Sequence, residues 1–180
     1  MSSATAAEKL SPGEEFRRLF ADHYSFVWRS LLHFGLNESQ ADDAAQEVFL
    51  VVHRKLEQYD RDRSFRSWVY GICRRVASTA QRSAHRSEAR EAGVSREQAS
   101  VDPSRRLEAK RELDWVQQCL MQMPDEQREV FVLAEVEGLS APEIADAVGA
   151  PLNTVYSRLR LSRRRFTAEL DERQAQELTP

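Results

Sequence analysis

Arginine in this 180-residue chain is concentrated in two islands, and any chemistry with a polyanion belongs there. Between residues 61 and 90 the basic side chains are Arg61, Arg63, Arg66, Arg74, Arg75, Arg82, Arg86 and Arg90, against Asp62 and Glu88. Between residues 147 and 168 they are Arg158, Arg160, Arg163, Arg164 and Arg165, with no acid among them. The acidic stretch Asp125, Glu126, Glu129, Glu135, Glu137, Glu143 and Asp146 lies between the islands, offset by Arg128. The whole chain holds 26 Lys and Arg against 29 Asp and Glu, so its charge is segregated rather than in excess. Segregated cationic faces point to anionic partners, nucleic acid above all, although a plain solvated helix face has the same composition.

The two islands imply different contacts. In the first, a helix opening near Ser64 is expected to present Arg66, Tyr70, Arg74, Arg75, Thr79 and Arg82 outward, after a loop with Tyr59, Arg61 and Arg63. Basic charge interleaved with aromatic rings suits stacking on unpaired bases. Phe65 and Trp68 fall at core spacing, so packing is their first role and nucleic-acid contact the second. In the second island, Ser140 and Glu143 form a capping box, Gly149 permits a tight turn, and a new helix opens at Pro151-Leu152-Asn153-Thr154. That is a helix-turn-helix pattern. With Val155, Leu159, Ser162 and Phe166 inward, Thr154, Tyr156, Ser157, Arg158, Arg160 and Arg163 fan around the exposed sides. Arg163, Arg164 and Arg165 suit backbone phosphates or solvent. A third surface is acidic: Asp43, Gln46, Glu47 and Leu50 share one ridge at i, i+3, i+4 and i+7, with Asp42 beside it. DNA is repelled there, so a basic protein surface is the partner it suits; an ordinary wet face is the bland alternative.

The elements that must position these groups read as all-α. Phe16, Leu19, Phe20, His23, Val27 and Leu31 give a helix over 14–34 that stops at Gly35. Asn37 and Gln40 cap a second helix whose inward stripe is Ala41, Ala44, Ala45, Val48, Val52 and Leu56. Phe65, Trp68, Val69, Ile72 and Val76 face inward on the third. Apolar periodicity lapses after Ser87 and returns from Leu107, and a further helix ends at Gly138. The expected division is a disordered N-terminus over 1–13, one helical domain over 14–87, a linker over 88–106, a second domain over 107–170 and a tail over 171–180. No further C-terminal domain is expected.

Other classes are disfavoured. His23, His33, His53 and His85 lack metal-ligand spacing, and no phosphate-binding loop or nucleophile motif appears. Cys73 and Cys119 stand alone, so neither a disulfide framework nor a metal pair is expected. No apolar run approaches the roughly 20 residues that span a bilayer, and the N-terminus lacks a signal-peptide pattern. The expectation is a cytoplasmic, cofactor-free protein that is not an enzyme and does not itself insert into membranes.

Three stretches in order carry a family resemblance: ADDAAQEVFLVVHRKLEQYD (41–60), SFRSWVYGICRRVAS (64–78) and MPDEQREVFVLAEVEGLSAPEIADAVGAPLNTVYSRLRLSRRRF (123–166). Over residues 14–170 the chain resembles bacterial RNA polymerase sigma factors of the sigma-70 family in their minimal extracytoplasmic-function form, with region 2 and region 4 domains joined by a linker. The resemblance implies that Asp42, Asp43, Gln46, Glu47 and Leu50 bind the β′ clamp helices of core polymerase, with the β flap as a further polymerase contact. It implies that Tyr59, Arg61, Arg63, Phe65, Arg66, Trp68, Tyr70, Arg74, Arg75, Thr79 and Arg82 recognise and open the promoter −10 element. It assigns the −35 element to Thr154, Tyr156, Ser157, Arg158, Arg160, Leu161, Arg163 and Arg164. An anti-sigma factor is expected by analogy.

Arg75, Thr79 and Leu161 depart from the common family residues, which implies altered promoter preference at both elements. A linker of about 18 residues reaches roughly 60 Å. That is enough for elements about 16 base pairs, or roughly 55 Å, apart. Two competing readings remain at this point. A stand-alone helix-turn-helix regulator leaves the acidic ridge unexplained, and a sigma-like decoy for an anti-sigma factor has no need of arginine faces.

Overall fold

The computed structural model describes residues 11–88, 112 and 115–177, which fall into two compact units divided between Glu91 and Ala92. Every regular element among the described residues is a helix and none is a strand, so the all-α expectation holds.

In the first unit, α1 (Pro12–His33), α2 (Glu38–Lys55) and α3 (Phe65–Glu88) pack pairwise. The first helix starts before residue 14, inside the stretch expected to be a disordered tail. Ser11 and Glu14 form a reciprocal capping box, and Pro12 occupies the first turn, where its missing N–H costs nothing. Gly35 takes a positive φ of 86° just past the helix end, as its expected stop requires. The Gln81 amide of α3 then donates to the carbonyl of Phe34 at 2.5 Å, tying α3 to the end of α1. The Asn37–Gln40 box opens α2 as expected. All six residues of its expected stripe are buried, together with Phe49, which periodicity did not place. A 3-10 turn over Leu56–Gln58 leads into the loop before α3.

Tyr70 requires a correction. It was placed on the outer face of α3, yet only 1% of it is exposed. Its ring lies 5.2 Å from Phe34 and 6.4 Å from Phe26, so the end of α1 supplies an aromatic pocket at that register. Cys73, also fully buried on α3, has its thiol pushed up to about 12 by burial, which leaves it protonated and inert.

In the second unit, a helix over 115–121 (α4) precedes α5 (Asp125–Phe131), α6 (Ala141–Val148) and α7 (Leu152–Glu177). The end of α5 widens into a π-helical turn, Val132–Val136, in which the Glu137 N–H donates to the Val132 carbonyl at 3.0 Å. Gly138 closes it at φ 67°. The Ser140–Glu143 box opens α6, and Gly149 ends it in the left-handed region at φ 68°, donating to Ala145 at 3.0 Å. Few residues other than glycine tolerate that geometry, and it lets α7 begin after three turn residues. Val155, Leu159 and Ser162 are buried as expected, and Phe166 packs 5.1 Å from Phe131.

The last helix outruns its expected end at residue 170. The Arg173 guanidinium lies 4.7 Å over the Trp115 ring and pairs with Glu112, so the C-terminal half of α7 has α4 to pack on. The linker expected over 88–106 lies outside the described residues, save that Glu88 ends α3.

Candidate nucleic-acid and protein interface

Asp43, Gln46, Glu47 and Leu50 are all exposed along one face of α2, and Leu50 is 61% exposed despite being apolar. The residues interleaved with them, Ala44, Ala45, Val48 and Phe49, fill the core, so the ridge is free of packing duty. Asp42 behaves differently. Its Oδ1 accepts the Trp28 indole N–H at 2.9 Å and the Tyr24 hydroxyl at 3.3 Å, which commits the carboxylate to α1. Asp42→Ala is therefore expected to lower unfolding stability by about 1 kcal/mol, the net value of such hydrogen bonds. Affinity for a partner on the ridge should stay within about twofold. Urea unfolding reads the first and titration the second; an unchanged unfolding midpoint would refute the assignment.

The loop before α3 has a fixed internal shape. The Asp60 carboxylate accepts the Asp62 N–H at 3.1 Å, and the Asp60 carbonyl accepts the Arg63 N–H at 3.1 Å. The Tyr59 hydroxyl donates to the Arg63 carbonyl at 2.5 Å. Burial raises the Tyr59 phenol above its usual range, so it remains a donor at neutral pH. The Tyr59 ring lies 4.9 Å from Trp68 and 5.5 Å from Phe65. Phe65 is buried and Trp68 half-buried, so the former is core and the latter presents part of its ring. His23 of α1 lies 4.7 Å from Phe65, and burial, aided by nearby Arg66 and opposed by Asp22, lowers its imidazole pKa.

Along α3, Arg74, Arg75, Thr79 and Arg82 are exposed. The Thr79 hydroxyl donates to the Arg75 carbonyl at 3.0 Å and accepts from Arg82 at 3.3 Å. Arg66 is half-buried, its guanidinium 4.5 Å over the Phe26 ring rather than extended into solvent.

On α7, Tyr156, Ser157, Arg160, Arg163, Arg164 and Arg165 are exposed, while Thr154 and Leu161 are half-buried. The expectation of a wholly outward arginine fan needs amending. Arg158 is turned back onto α5, where it pairs with Glu126 and keeps only 21% side-chain exposure. Arg163 pairs with Glu135 of the π-helical turn at 2.7 Å but stays 58% exposed. The cationic face left to a partner is centred on Arg160, Arg163, Arg164 and Arg165.

Among the described residues, no cluster of His, Cys, Asp or Glu is arranged to hold a metal, and no helix is long and apolar enough to cross a membrane.

Comparison with known proteins gives these surfaces a family. Residues 19–87 match the family described as Sigma-70 region 2, and residues 113–166 match Sigma-70, region 4. The chain belongs to the sigma-70 family. This sigma factor is 27% identical over 177 residues to NccH of Alcaligenes xylosoxydans xylosoxydans, covering 93% of this chain and 94% of the relative. It is 29% identical to CnrH of Cupriavidus metallidurans, covering 87% and 86% of the two chains. It is 37% identical over 118 residues to the ECF RNA polymerase sigma factor SigD of Mycobacterium tuberculosis, covering 64% and 56%. The solved structure of CnrH with the cytosolic domain of CnrY superposes with a TM-score of 0.64 at 27% identity, covering 87% of this chain and 88% of that one. A sigma factor RpoE from Bartonella quintana, solved with the anti-sigma factor NepR, shares the fold at a TM-score of 0.66 and 19% identity, covering 87% and 97%.

Proposed function

We propose that this sigma factor is of the extracytoplasmic-function type, binds core RNA polymerase and directs promoter-specific initiation by reading the −35 element and reading and opening the −10 element. The observation that carries this is the pairing, in one small unit, of an exposed acidic ridge on α2 with an aromatic-basic loop and helix on the neighbouring elements. A duplex-binding regulator has no use for the first, and a decoy has no use for the second. The chain supplies recognition and strand separation while polymerase performs the phosphoryl transfer, so it is not itself an enzyme, and it works in the cytoplasm.

The domains proposed are residues 14–87 for the −10 element and core polymerase, and residues 107–170 for the −35 element. CnrH was solved with the cytosolic domain of CnrY and RpoE of Bartonella quintana with the anti-sigma factor NepR, and we propose a protein partner of the anti-sigma kind for this chain as well. The test is run-off transcription with core polymerase and promoter fragments. Defined start sites that require both chain and core are expected. Equal DNA affinity without core, and no start site, would replace this reading with the stand-alone regulator.

A further inference from the structure

We infer that Glu15, on the first turn of α1, is a positioning residue for −10 recognition: it clamps Arg61 and thereby fixes where the Tyr59–Ser64 loop sits on the helical bundle. The inference rests on the proposed −10 role of that loop.

The local hydrogen bonds of the loop determine its own curvature. They join Asp60 to Asp62, Asp60 to Arg63 and Tyr59 to Arg63, all within five residues, and they survive any rigid displacement of the loop. Placement needs contacts to other elements. On one side the Tyr59 ring lies against Trp68 and Phe65 of α3. On the other, Arg61 reaches across 46 residues of sequence to Glu15. The guanidinium engages both carboxylate oxygens, Nε to Oε1 at 3.1 Å and Nη2 to Oε2 at 2.8 Å. A planar fork on a planar carboxylate restricts direction as well as distance, which a single hydrogen bond or a lysine does not.

Glu15 is itself held in place. The Ser11–Glu14 capping box orders the first turn, and the Glu15 N–H donates to the Ser11 carbonyl at 2.9 Å. A carboxylate in the first turn is also favoured by the exposed N–H groups of the helix. Its side chain is 26% exposed, against 59% for Arg61, so the acid is the fixed half of the pair and the arginine the half that is held. The cap, the first turn, Glu15, Arg61 and the loop form one chain of contacts. Its consequence is on selectivity: a loop free to shift by an ångström accommodates wrong bases, whereas a clamped one does not.

The test uses holoenzyme assembled with the Glu15→Ala or Glu15→Gln variant of the full chain. The readout is the ratio of open-complex formation on a consensus −10 element to that on single-base variants, followed by 2-aminopurine fluorescence. The affinity of the same holoenzyme for a duplex −35 fragment is measured in parallel. An exposed pair of this kind carries enough energy for about a threefold to fivefold change. Glu15→Ala is expected to reduce the ratio by that factor with −35 affinity unchanged. Glu15→Gln, which keeps an acceptor but not the charge, is expected to fall between Ala and wild type.

Trp68→Ala serves as the control for the −10 site. An unchanged ratio in Glu15→Ala, with an altered one in Trp68→Ala, overturns the role of Glu15 and leaves the −10 reading standing. An unchanged ratio in both removes the loop and its aromatic cluster from −10 recognition, and the role of Glu15 with them. Equal losses at the −10 and −35 elements in both Glu15 variants mean a general folding defect, which also overturns the assignment.

Discussion

The doubly substituted chain Asp43→Arg/Glu47→Arg is expected to lose core-polymerase binding by at least about 100-fold, with helix content and unfolding midpoint unchanged. Both carboxylates are exposed, and the residues that pack α2 into the bundle are their neighbours rather than themselves. Asp43 lies beyond the first turn of α2, where the helix dipole has little hold on its charge. Reversal therefore disturbs the fold little. At a charge-complementary interface it replaces two attractions by two repulsions, and each like-charge juxtaposition there costs several kcal/mol. A total of about 3 kcal/mol already corresponds to the stated factor. Titration of labelled chain with core polymerase measures the affinity, and circular dichroism checks the fold. Retained affinity removes the ridge from the proposed interface.

The contrast with Asp42 shows what was legible in the sequence and what was not. Period 3.6 placed Ala41, Ala44, Ala45, Val48 and Val52 inward, and that stripe left the ridge on the outside. Whether an exposed acid on the flank of the ridge also accepts a tryptophan N–H depends on the neighbouring helix. Trp28 and Tyr24 decided it for Asp42, from 14 and 18 residues away. Tyr70 failed for the same reason, since its pocket is made by Phe26 and Phe34 of α1.

The same limit applies to charge. The arginine islands were plain in composition, but the acids that meet them were not. Glu126 and Glu135 belong to the acidic stretch read only as a separator, and folding lays them against Arg158 and Arg163. The π-helical turn that brings Glu135 to α7 leaves no mark in periodicity. The Ser11–Glu14 capping box, by contrast, was legible as Ser-x-x-Glu, and a boundary drawn on composition passed over it.

The aromatic cluster yields the other large expectation: Trp68→Ala is expected to reduce −10 opening by holoenzyme by about 10-fold to 100-fold. Stacking of one unpaired base on an aromatic ring is worth about 1–3 kcal/mol. Trp68 is the ring placed to supply it. Phe65 is buried, Tyr59 spends its hydroxyl on the Arg63 carbonyl, and Trp68 packs against both while remaining half-exposed. Its packing role must be separated from its stacking role, because truncating a large aromatic also destabilises the bundle. Trp68→Phe does so: it retains most of the contact with Tyr59 and Phe65 but offers a smaller ring to a base. The expected order for opening, read by permanganate reactivity of unpaired thymines, is wild type, then Phe, then Ala. Binding to a duplex −35 fragment and to core should be unaffected in Trp68→Phe. If Trp68→Ala opens the −10 element as wild type does, at a temperature where it is fully folded, the cluster is structural and base capture belongs to the arginine face of α3.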